Sequence, residues 1–435
     1  MEKDKIIIFW FRRDLRIEDN HGLYEASKLG LPILPIFIFD PNILEKLPSK
    51  KDARVEFIHQ SLNHLNKGFQ LKGSSIQIFH QKPIAAFEYL LKNYNIEAIF
   101  CNHDYEHYAI ERDLSIKTLA EQHHAAFYSF KDQVIFEKDE VLSGQQTPYT
   151  VFTPYSRKWK QTLALAPIKH FPSESCENYV QQSYEMPTLE ALGFEKTGID
   201  FPKKETAVEL VKHYGANRDF PAKNATSRLS VHLRFGTISI RRLVTFAQKH
   251  SEVYLNELIW RDFYFNILHH FPHISAGKSF KPAYDLIRWH NDESDFEAWK
   301  SGQTGYPIVD AGMRELNTTG FMHNRVRMIV ASFLVKHLLI DWRWGESYFA
   351  EKLLDFDFAA NNGGWQWASG SGCDAAPYFR VFNPTLQTQK FDGQFEYIKK
   401  WVPEFQELSY PAPIVQHEFA RKRVLEVYKS ALDKN

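Results

Sequence analysis

Short apolar runs alternate with amphipathic stretches over about the first 130 residues, and this alternation constrains the fold more than any other feature. Helical patterns such as Val55–Leu65 and Ile84–Leu91 separate the runs. Each run is short, rich in β-branched or aromatic residues, and typical of a strand buried on both faces. The runs are Ile6–Phe11, Ile33–Phe39, Ser75–Phe79, Ala98–Cys101 and Ala125–Phe130. This order predicts a doubly wound, Rossmann-like parallel sheet with right-handed crossovers.

The alternation stops after about residue 130. Residues 131–205 are polar and irregular and contain six prolines from Pro148 to Pro202, which is typical of a long interdomain connector. Beyond residue 205 the patterns are helical, as in Asn256–His269 and Val326–Leu339, and strand-like alternation is absent. We therefore predict an α/β domain (1–130), a connector (131–205) and an all-α domain (206–435).

Composition and charge exclude several classes of protein. The 53 Lys and Arg balance the 53 Asp and Glu, so a histone-like polybasic binder is excluded, whereas a local basic patch is not. The 3 cysteines are far apart, which excludes a disulfide framework and a cysteine-rich zinc site and favours a reducing cytoplasm. No stretch approaches the roughly 20 apolar residues that a bilayer requires. We therefore predict a soluble intracellular protein. Because no metal-binding motif is present, we also predict that it binds no metal, and no dinucleotide fingerprint follows the first strand.

Tryptophan and glycine mark the most informative segment of the helical part. Of 10 Trp, only Trp10 and Trp159 precede residue 206. Large aromatic residues fill helical cores, but they also form sites for flat conjugated ligands. In Asn361–Trp367 (NNGGWQW), paired glycines allow close approach of a ligand and the amides donate or accept. Asp355 and Asp357 are candidate acceptors from ribose or ring N–H groups. The alternative is a pair of helix caps.

Two further segments carry weaker signals. In Arg218–Ser230, the hydroxyls of Thr226, Ser227 and Ser230 are suited to cap a helix whose N-terminus holds a phosphate, although such caps open ordinary helices too. In Asn256–Tyr264, Glu257 and Arg261 are four residues apart. That spacing suits a surface ion pair or, with Trp260 between them, one wall of a pocket.

These residues resemble the photolyase/cryptochrome family, and are most similar to bacterial class I cyclobutane pyrimidine dimer photolyases. The resemblance covers the whole chain, and many long motifs in one order make it specific. The motifs are Trp10–Asn20, Thr226–Ser230, Asn256–Arg261, Thr304–Asp310, Met322–Met328, Asp341–Trp342, Asn361–Trp367 and Asp374–Arg380.

The resemblance implies FAD in the helical domain, bound in a U shape and active as the reduced anion FADH−. Arg327 paired with Asp355 is the candidate for a guanidinium that favours the anionic flavin. The family's cofactor-binding positions are matched by Tyr214, Thr226, Ser227, Arg228, Leu229, Ser230, Glu257, Arg261, Asn324, Arg327, Asp355, Asp357, Asn361 and Asn362.

The implied activity is that of a light-dependent carbon–carbon lyase that repairs cyclobutane pyrimidine dimers in DNA. Excited FADH− passes an electron to a flipped-out dimer, the ring splits, and the electron returns. The positions matching dimer contacts are Glu257, Trp260, Asn324, Met328 and Trp367, and candidate DNA-backbone contacts are Arg218, Arg325 and Arg380. The catalytic positions are Asn361 and the electron-transfer chain Trp365, Trp342 and Trp289.

Two departures from the family pattern matter. Phe321 stands where several dimer photolyases have Trp, so the pocket shape is expected to differ slightly. Tyr105–Asp113 does not reproduce the Asn-Glu pair of the folate-binding members. For a second chromophore in the antenna-type N-terminal domain, a deazaflavin, a flavin and an empty site are therefore all open.

The alternative function is a cryptochrome, a blue-light receptor without repair activity. The matched dimer-contact positions disfavour it, as does the end of the chain at Asn435 without a signalling tail. His323-Asn324 does not reproduce the histidines that six-four photoproduct photolyases place beside the lesion. The electron-transfer chain disfavours a light-independent nucleic-acid-binding module. The expected partner is UV-damaged DNA, with no obligate protein partner and a monomeric state.

Overall fold

The computed structural model describes residues 4–433, so Asn435, at which the chain ends, lies outside the described residues. The described residues form two compact units, each built from three separate segments. The sheet unit comprises Met1–Glu140, Lys160–Glu205 and Arg228–Lys249, and the helical unit comprises Val141–Trp159, Thr206–Ser227 and His250–Asn435. The predicted boundaries near residues 130 and 205 remain a proposal.

Five parallel strands form the sheet, in the order β3-β2-β1-β4-β5. Ile7 of β1 pairs with Ile33 of β2 on one side and with Ala98 of β4 on the other. The strands are β1 (Lys5–Phe11), β2 (Ile33–Phe39), β3 (Gln77–His80), β4 (Asn95–Asn102) and β5 (Ala126–Phe130). The predicted parallel sheet is confirmed.

Burial differs between the centre and the edges of the sheet. Six of the 7 residues of β1 and all residues of β2 are buried, as predicted. The prediction of burial on both faces is wrong for β3 and β5, which have one buried residue and none. Both are edge strands, and an edge strand has a neighbour on one side only, so less of its surface is covered.

Helices separate the strands as the alternating pattern predicts. Polar caps start several of them: Asn20 accepts from the Leu23 N–H, and Asp52 accepts from the Arg54 and Val55 N–H groups. Up to β5 the helices are α1 (His21–Ser27), α2 (Pro41–Leu44), α3 (Ala53–Gln70), α4 (Pro83–Asn93) and α5 (His107–Gln122).

Residues 131–205 contain an α-helix that the proline-rich pattern does not predict, α6 (Phe152–Leu165). The later helices are α7 (Val208–Lys212), α8 (Tyr214–Asn217), α9 (Ser230–Arg234), α10 (Ile240–His250), α11 (Glu252–His270), α12 (Glu293–Ser301), α13 (Pro307–Thr319), α14 (Asn324–Ser332), α15 (Trp342–Lys352), α16 (Phe358–Ser369), α17 (Pro384–Phe391), α18 (Glu396–Trp401) and α19 (His417–Leu432). Short 3₁₀ helices span Lys138–Glu140, Ser173–Ser175, Pro272–Ala276 and Pro282–Leu286, and a π-helix spans Phe333–His337.

A large and a small apolar cluster are buried among the described residues of the helical unit. The larger, which we call the tryptophan core, contains Trp299, Trp342 and Trp365 among residues of α12–α16 and the π-helix. The smaller contains Leu339 and Tyr428, the latter on α19. Among residues 131–433 no strand of the sheet occurs, so the predicted helical character is confirmed. Within the described residues, no helix has the length and apolarity needed to cross a bilayer.

Candidate functional site

The motif Asn361–Trp367 lies entirely inside α16, so its interpretation as a pair of helix caps is wrong. The helix starts after Asp357, whose backbone is extended, and ends at Gly370, which has a φ of 93°. Glycine adopts this left-handed conformation without the steric cost of a Cβ. Gly370, and not the motif Asn361–Trp367, therefore ends α16.

The two glycines of the motif have different surroundings. A Cβ at Gly363 would overlap the ring of Tyr264, whereas a Cβ at Gly364 would meet nothing within 4 Å. Gly363 therefore allows close packing of α16 against Tyr264 on α11, and Gly364 leaves open space in front of the helix.

An open pocket lies between α11, α16 and the loop 372–375, and it encloses about 390 Å³ when the adjoining solvent is included. It brings together Trp260, Trp367 and Asn362, three residues predicted from the sequence to belong to the site. The residues of α11 and α16 that line it include Trp260, Tyr264, Asn362, Gly363, Gln366 and Trp367. Aromatic walls with a few amides suit a flat ligand with polar edges.

Glu257 forms an ion pair with Arg218, and both side chains are about one-third exposed. Burial raises the pKa of Glu257 above its ordinary value, although the Arg218 guanidinium opposes this. Arg261, four residues after Glu257, places its guanidinium 4.7 Å from the centroid of the Phe265 ring. Glu257 is a predicted dimer contact and Arg218 a predicted DNA-backbone contact, and in this structure the two residues bind each other.

Arg327 donates two hydrogen bonds from one nitrogen to the Asp355 carboxylate, at 3.0 and 2.9 Å. Its Nε donates to the Met322 carbonyl at 2.8 Å, which fixes the guanidinium plane. The structure thus contains the pair that the sequence analysis identified as a candidate partner of an anionic flavin.

Asn361 contacts α15. Its Nδ2 donates to the Glu346 carbonyl at 3.0 Å and to the Glu346 carboxyl at 3.2 Å. Burial raises the pKa of Glu346, and the bond from Asn361 opposes the rise. Since both bonds use the amide nitrogen, the Asn361 oxygen is the group left to accept a hydrogen bond.

The hydroxyls of Thr226, Ser227 and Ser230 do not cap α9. Leu229 occupies the cap position and makes no side-chain capping bond, and Arg228 before it has a left-handed φ of 53°. The capping interpretation is therefore wrong, because Ser230 is already the first helical residue. The Ser227 hydroxyl shares a hydrogen bond of 2.8 Å with Tyr254.

Tyr254 also packs edge-on against Tyr214, the first residue of α8, with ring centroids 5.0 Å apart. Ser227, Tyr254 and Tyr214 thus form one contact group in the helical unit. Thr226, beside it, is half-buried.

The other predicted DNA contacts are partly accessible. Asn324 is exposed at the start of α14, and Arg380 is exposed. Arg325 donates to Asp219 at 2.8 Å, and its Nη1 lies 3.6 Å from the Met328 sulfur. Arg325 therefore makes an intramolecular ion pair, and Met328 is half-buried next to it.

The three predicted electron-transfer tryptophans differ in exposure. Trp365 and Trp342 are buried in the tryptophan core, and half-buried Trp289 packs against it. A Cβ at Gly345 would overlap the Trp365 ring, so this glycine is what allows the indole to pack here. The series runs from buried to partly exposed, as a path from the interior to solvent requires.

Two hydrogen bonds join the segment that follows Trp289 to the segment that precedes Trp342. The His290 N–H donates to the Leu339 carbonyl at 2.7 Å, and the Asp341 N–H donates to the Asn291 side-chain oxygen at 2.8 Å. Each bond involves a residue directly beside or close to a tryptophan, so the two segments are held in register.

Phe152 and Tyr264 are aromatic residues at or behind the pocket that the sequence did not predict. Phe152 stacks on Trp260 with ring centroids 3.7 Å apart and planes 3° apart. It lies in the predicted connector, and nothing in its sequence context links it to Trp260. Tyr264 lines the pocket. It follows Trp260 by four residues on the same helix, and that spacing was a signal that could have identified it.

Comparisons with known proteins establish the family. Family models described as "DNA photolyase" and "FAD binding domain of DNA photolyase" match residues 7–174 and 254–409. The chain is 37% identical to a deoxyribodipyrimidine photo-lyase from Synechococcus, over 97% of this chain and 96% of that one. The chain belongs to the photolyase/cryptochrome family. A deoxyribodipyrimidine photo-lyase of Escherichia coli is 36% identical, over 98% of each chain.

Solved photolyase structures share the fold. A bacterial class III photolyase from Agrobacterium tumefaciens superposes with a TM-score of 0.87 at 33% identity, covering 100% of this chain and 99% of that one. An archaeal photolyase from Sulfolobus tokodaii, described with two FAD molecules, gives 0.82 at 36% identity, covering 98% and 100%. The α/β plus helical architecture is therefore that of the photolyases.

The helical unit carries the family's FAD-binding domain, and its residues fit that cofactor. Gly364 leaves open space in front of α16. The buried side-chain oxygen of Asn256 has no hydrogen-bond partner among the described residues, and a buried acceptor of this kind is suited to a donor from a ligand. Arg327, Asp355 and Asn361 supply guanidinium, carboxylate and amide groups, which are the hydrogen-bond donors and acceptors that polar flavin edges need.

Proposed function

We propose that this photolyase-family protein repairs cyclobutane pyrimidine dimers in DNA under blue light. The observation that carries the proposal is the pocket itself, in which Trp260 and Trp367 stand beside Asn362 and the glycine motif of α16. When bound, reduced FAD supplies the electron that splits the dimer and takes it back afterwards. The chain's residues have to bind the dimer, orient it and exclude water.

The dimer has to leave the duplex to reach this pocket. A damaged pair is weakly stacked, which lowers the cost of extrusion to a few kcal/mol or less. Trp260 and Trp367 offer ring faces for stacking, Glu257 and Asn324 offer hydrogen bonds to the bases, and Met328 offers an apolar contact. Stacking on aromatic side chains contributes roughly 1–3 kcal/mol per base.

Arg218, Arg325 and Arg380 are proposed to contact the DNA backbone. Arg380 is exposed and needs no rearrangement. Arg218 and Arg325 are ion-paired with Glu257 and Asp219, so their contacts with phosphates exchange a carboxylate partner for a phosphate. Glu257 is also proposed to bind the dimer. Breaking the ion pair between Arg218 and Glu257 therefore makes both side chains available to the damaged DNA.

Tyr264 lines the pocket beside Trp260. Burial raises the pKa of the Tyr264 phenol, so the phenol stays protonated. A neutral phenol beside Trp260 is compatible with electron transfer as the chemical step, which requires no general base.

The cofactor-binding assignments follow from the family resemblance and the contacts described above. Arg327, with its partner Asp355, is proposed to favour the anionic reduced flavin. Asn361, held by Glu346, presents its oxygen to the flavin. Phosphate and ribitol contacts are proposed for Tyr214 and Thr226–Ser230, and polar contacts around the flavin and adenine for Glu257, Arg261, Asn324, Asp357 and Asn362.

Trp365, Trp342 and Trp289 are proposed to carry electrons to oxidised FAD and so to return it to the active state. Their packing in and against the tryptophan core supports this. The role lies outside the repair cycle, so it is separable by experiment.

A second, light-harvesting chromophore is proposed for the sheet unit, with a deazaflavin and a flavin as the candidates. The description of the Sulfolobus photolyase as holding two FAD molecules supports a flavin. An absorption spectrum of the purified protein distinguishes the two, and a spectrum of one FAD alone would mean an empty antenna site.

We also propose a monomer in the cytoplasm, associated with the nucleoid through DNA and without an obligate protein partner. The unpaired state of Cys101, Cys176 and Cys373 supports a reducing compartment. Sedimentation of the purified protein tests the monomer.

The function is tested with chemically reduced protein and a duplex that contains one thymine dimer. Repair that requires blue light and the protein is expected. Photoreduction of FAD without any loss of dimers, in light or dark, would support the cryptochrome alternative instead.

A further inference from the structure

Trp260 on α11 is enclosed by three other rings. Phe152 stacks face to face on it, with centroids 3.7 Å apart. Phe263 contacts it edge-on at 5.5 Å with planes 80° apart, and Tyr264 lies at 5.5 Å with planes 32° apart. The orientation of the indole is therefore fixed by packing from several sides.

An indole has two faces, and Phe152 covers one of them. Trp260 lines the pocket, whereas Phe152 is not among the residues that line it. A flat ligand in the pocket can therefore stack only on the face that Phe152 leaves free. Phe152 thus lies behind the proposed dimer-stacking surface and does not touch the dimer.

Two hydrogen bonds hold the segment that carries Phe152 within the helical unit. The Phe152 N–H donates to the Asp374 carboxylate at 3.0 Å, and Asp374 itself lines the pocket. Seven residues later, the Trp159 indole N–H donates to the Asp262 carboxylate at 2.9 Å on α11. The first bond fixes the backbone at Phe152 itself, whereas the second holds α6 against α11 at a distance from the Phe152 ring.

We propose that Phe152 is a positioning residue that holds the Trp260 indole ready to stack on a pyrimidine dimer, and that it thereby sets the preference for damaged over undamaged DNA. The inference rests on the proposed function. Its physical basis is preorganisation: a side chain that is already ordered loses no further rotamer freedom when the ligand binds. Undamaged DNA does not enter the pocket, so its affinity does not depend on Phe152.

Phe152→Met tests the inference, because methionine fills the volume without a ring face. Dissociation constants are measured in the dark for a duplex with one thymine dimer and for the same duplex undamaged. The variant is expected to lose about two- to tenfold in affinity for the damaged duplex, as the contribution of an aromatic pair implies, with no change for the undamaged one. Phe152→Tyr, which retains the ring, is expected to restore the wild-type ratio.

Trp159→Phe is the matched control, since it removes a contact between the same two helices without touching Trp260. Its ratio of affinities is expected to equal that of the wild type. A wild-type ratio of affinities in Phe152→Met would overturn the inference. An equal loss of affinity for the damaged duplex in Trp159→Phe would overturn it too, because weakened packing of α6 against α11 would then explain both variants.

If Phe152→Met does not fold, as judged by its melting temperature, Phe152→Leu takes its place under the same criteria. A wild-type protein that binds both duplexes equally would contradict the proposed function itself. If the wild type and Phe152→Met both prefer the damaged duplex to the same extent, only the role of Phe152 is contradicted and the proposed function stands.

Discussion

At the residue scale, the adjacent glycines Gly363 and Gly364 have different structural roles. Gly363 faces the Tyr264 ring at a distance that no Cβ can share, and Gly364 faces open space. In a helix interior, alanine is favoured over glycine by about 1 kcal/mol when nothing else changes. Replacing each glycine by alanine therefore distinguishes the effect of packing against Tyr264, at Gly363, from the effect of helix propensity alone, at Gly364.

Gly363→Ala is expected to destabilise the protein by about 1–3 kcal/mol, because Tyr264 is held by Trp260 and Phe263 and cannot move freely. Gly364→Ala is expected to leave the stability unchanged or to raise it by up to about 1 kcal/mol. Unfolding by guanidinium measures the stability of both variants, and the visible absorbance of the flavin shows whether either variant loses cofactor. Equal stability of the two variants would contradict the packing role of Gly363.

Trp365→Phe is expected to abolish photoreduction of oxidised FAD while leaving repair by chemically reduced enzyme largely intact. The change removes the oxidisable indole from the tryptophan core but keeps an aromatic ring there. Flavin absorbance under illumination and loss of dimers are measured on the same preparation. Trp344→Phe is the control, because it alters a half-buried tryptophan that is not part of the proposed electron-transfer chain. Loss of repair in the reduced Trp365 variant would place this residue in the substrate site or the fold.

At the scale of elements, the π-helix Phe333–His337 carries a lysine in an apolar setting. Lys336 is 1% exposed, donates to the Ser369 carbonyl at 3.0 Å, and lies 3.8 Å from the centroid of the Tyr428 ring. Burial lowers its pKa to about 7. The unfolded chain binds this proton up to a pKa near 10.4, so unfolding takes up a proton between pH 7 and 10.

Stability is therefore expected to rise with pH across that window, by up to about 1.4 kcal/mol per pH unit from this group, and to level off above it. Lys336→Met is expected to be more stable than the wild type at pH 7 and to lose this slope. Unfolding free energies from pH 7 to 10 measure the difference, with Lys352→Met as a surface control. Parallel pH profiles for wild type and Lys336→Met would show that the lysine stays charged.

The sequence predicted the elements of the sheet well because buried parallel strands are short, apolar and regularly spaced. It overestimated the burial of β3 and β5, since strand order is not visible in such runs. It placed Trp260, Trp367 and Asn362 in the same site through motifs, and the pocket contains all three. It could not find Phe152, because the stack on Trp260 joins residues 108 positions apart and the proline pattern around it hides α6.

The capping of α9 and α16 shows a second limit. Asn, Gly and Ser favour helix ends, yet Asn361–Gly364 lies inside α16 and Ser230 lies inside α9. In α16 the glycine preference yields to packing against Tyr264. Tertiary contacts of this kind override local propensity and cannot be read from a single segment.

At the scale of the whole molecule, a net charge of zero means that affinity for DNA has to come from a local surface and the pocket. Trp260→Ala is expected to remove the preference for damaged DNA, at a cost of roughly 1–3 kcal/mol. Arg380→Ala is expected to weaken damaged and undamaged DNA alike and to lower the salt slope by about one phosphate contact. Titrations of both duplexes at several salt concentrations separate the two effects. If Trp260→Ala weakens both duplexes equally, the pocket assignment is wrong.

Light-driven repair of cyclobutane dimers is tested on DNA that carries both cyclobutane dimers and six-four photoproducts. Chemically reduced protein is incubated with this DNA in blue light and in the dark, and each lesion is quantified by mass spectrometry. We predict that cyclobutane dimers disappear in the light, that six-four photoproducts persist, and that neither changes in the dark. Loss of dimers in the dark, or loss of six-four products alone in the light, would contradict it.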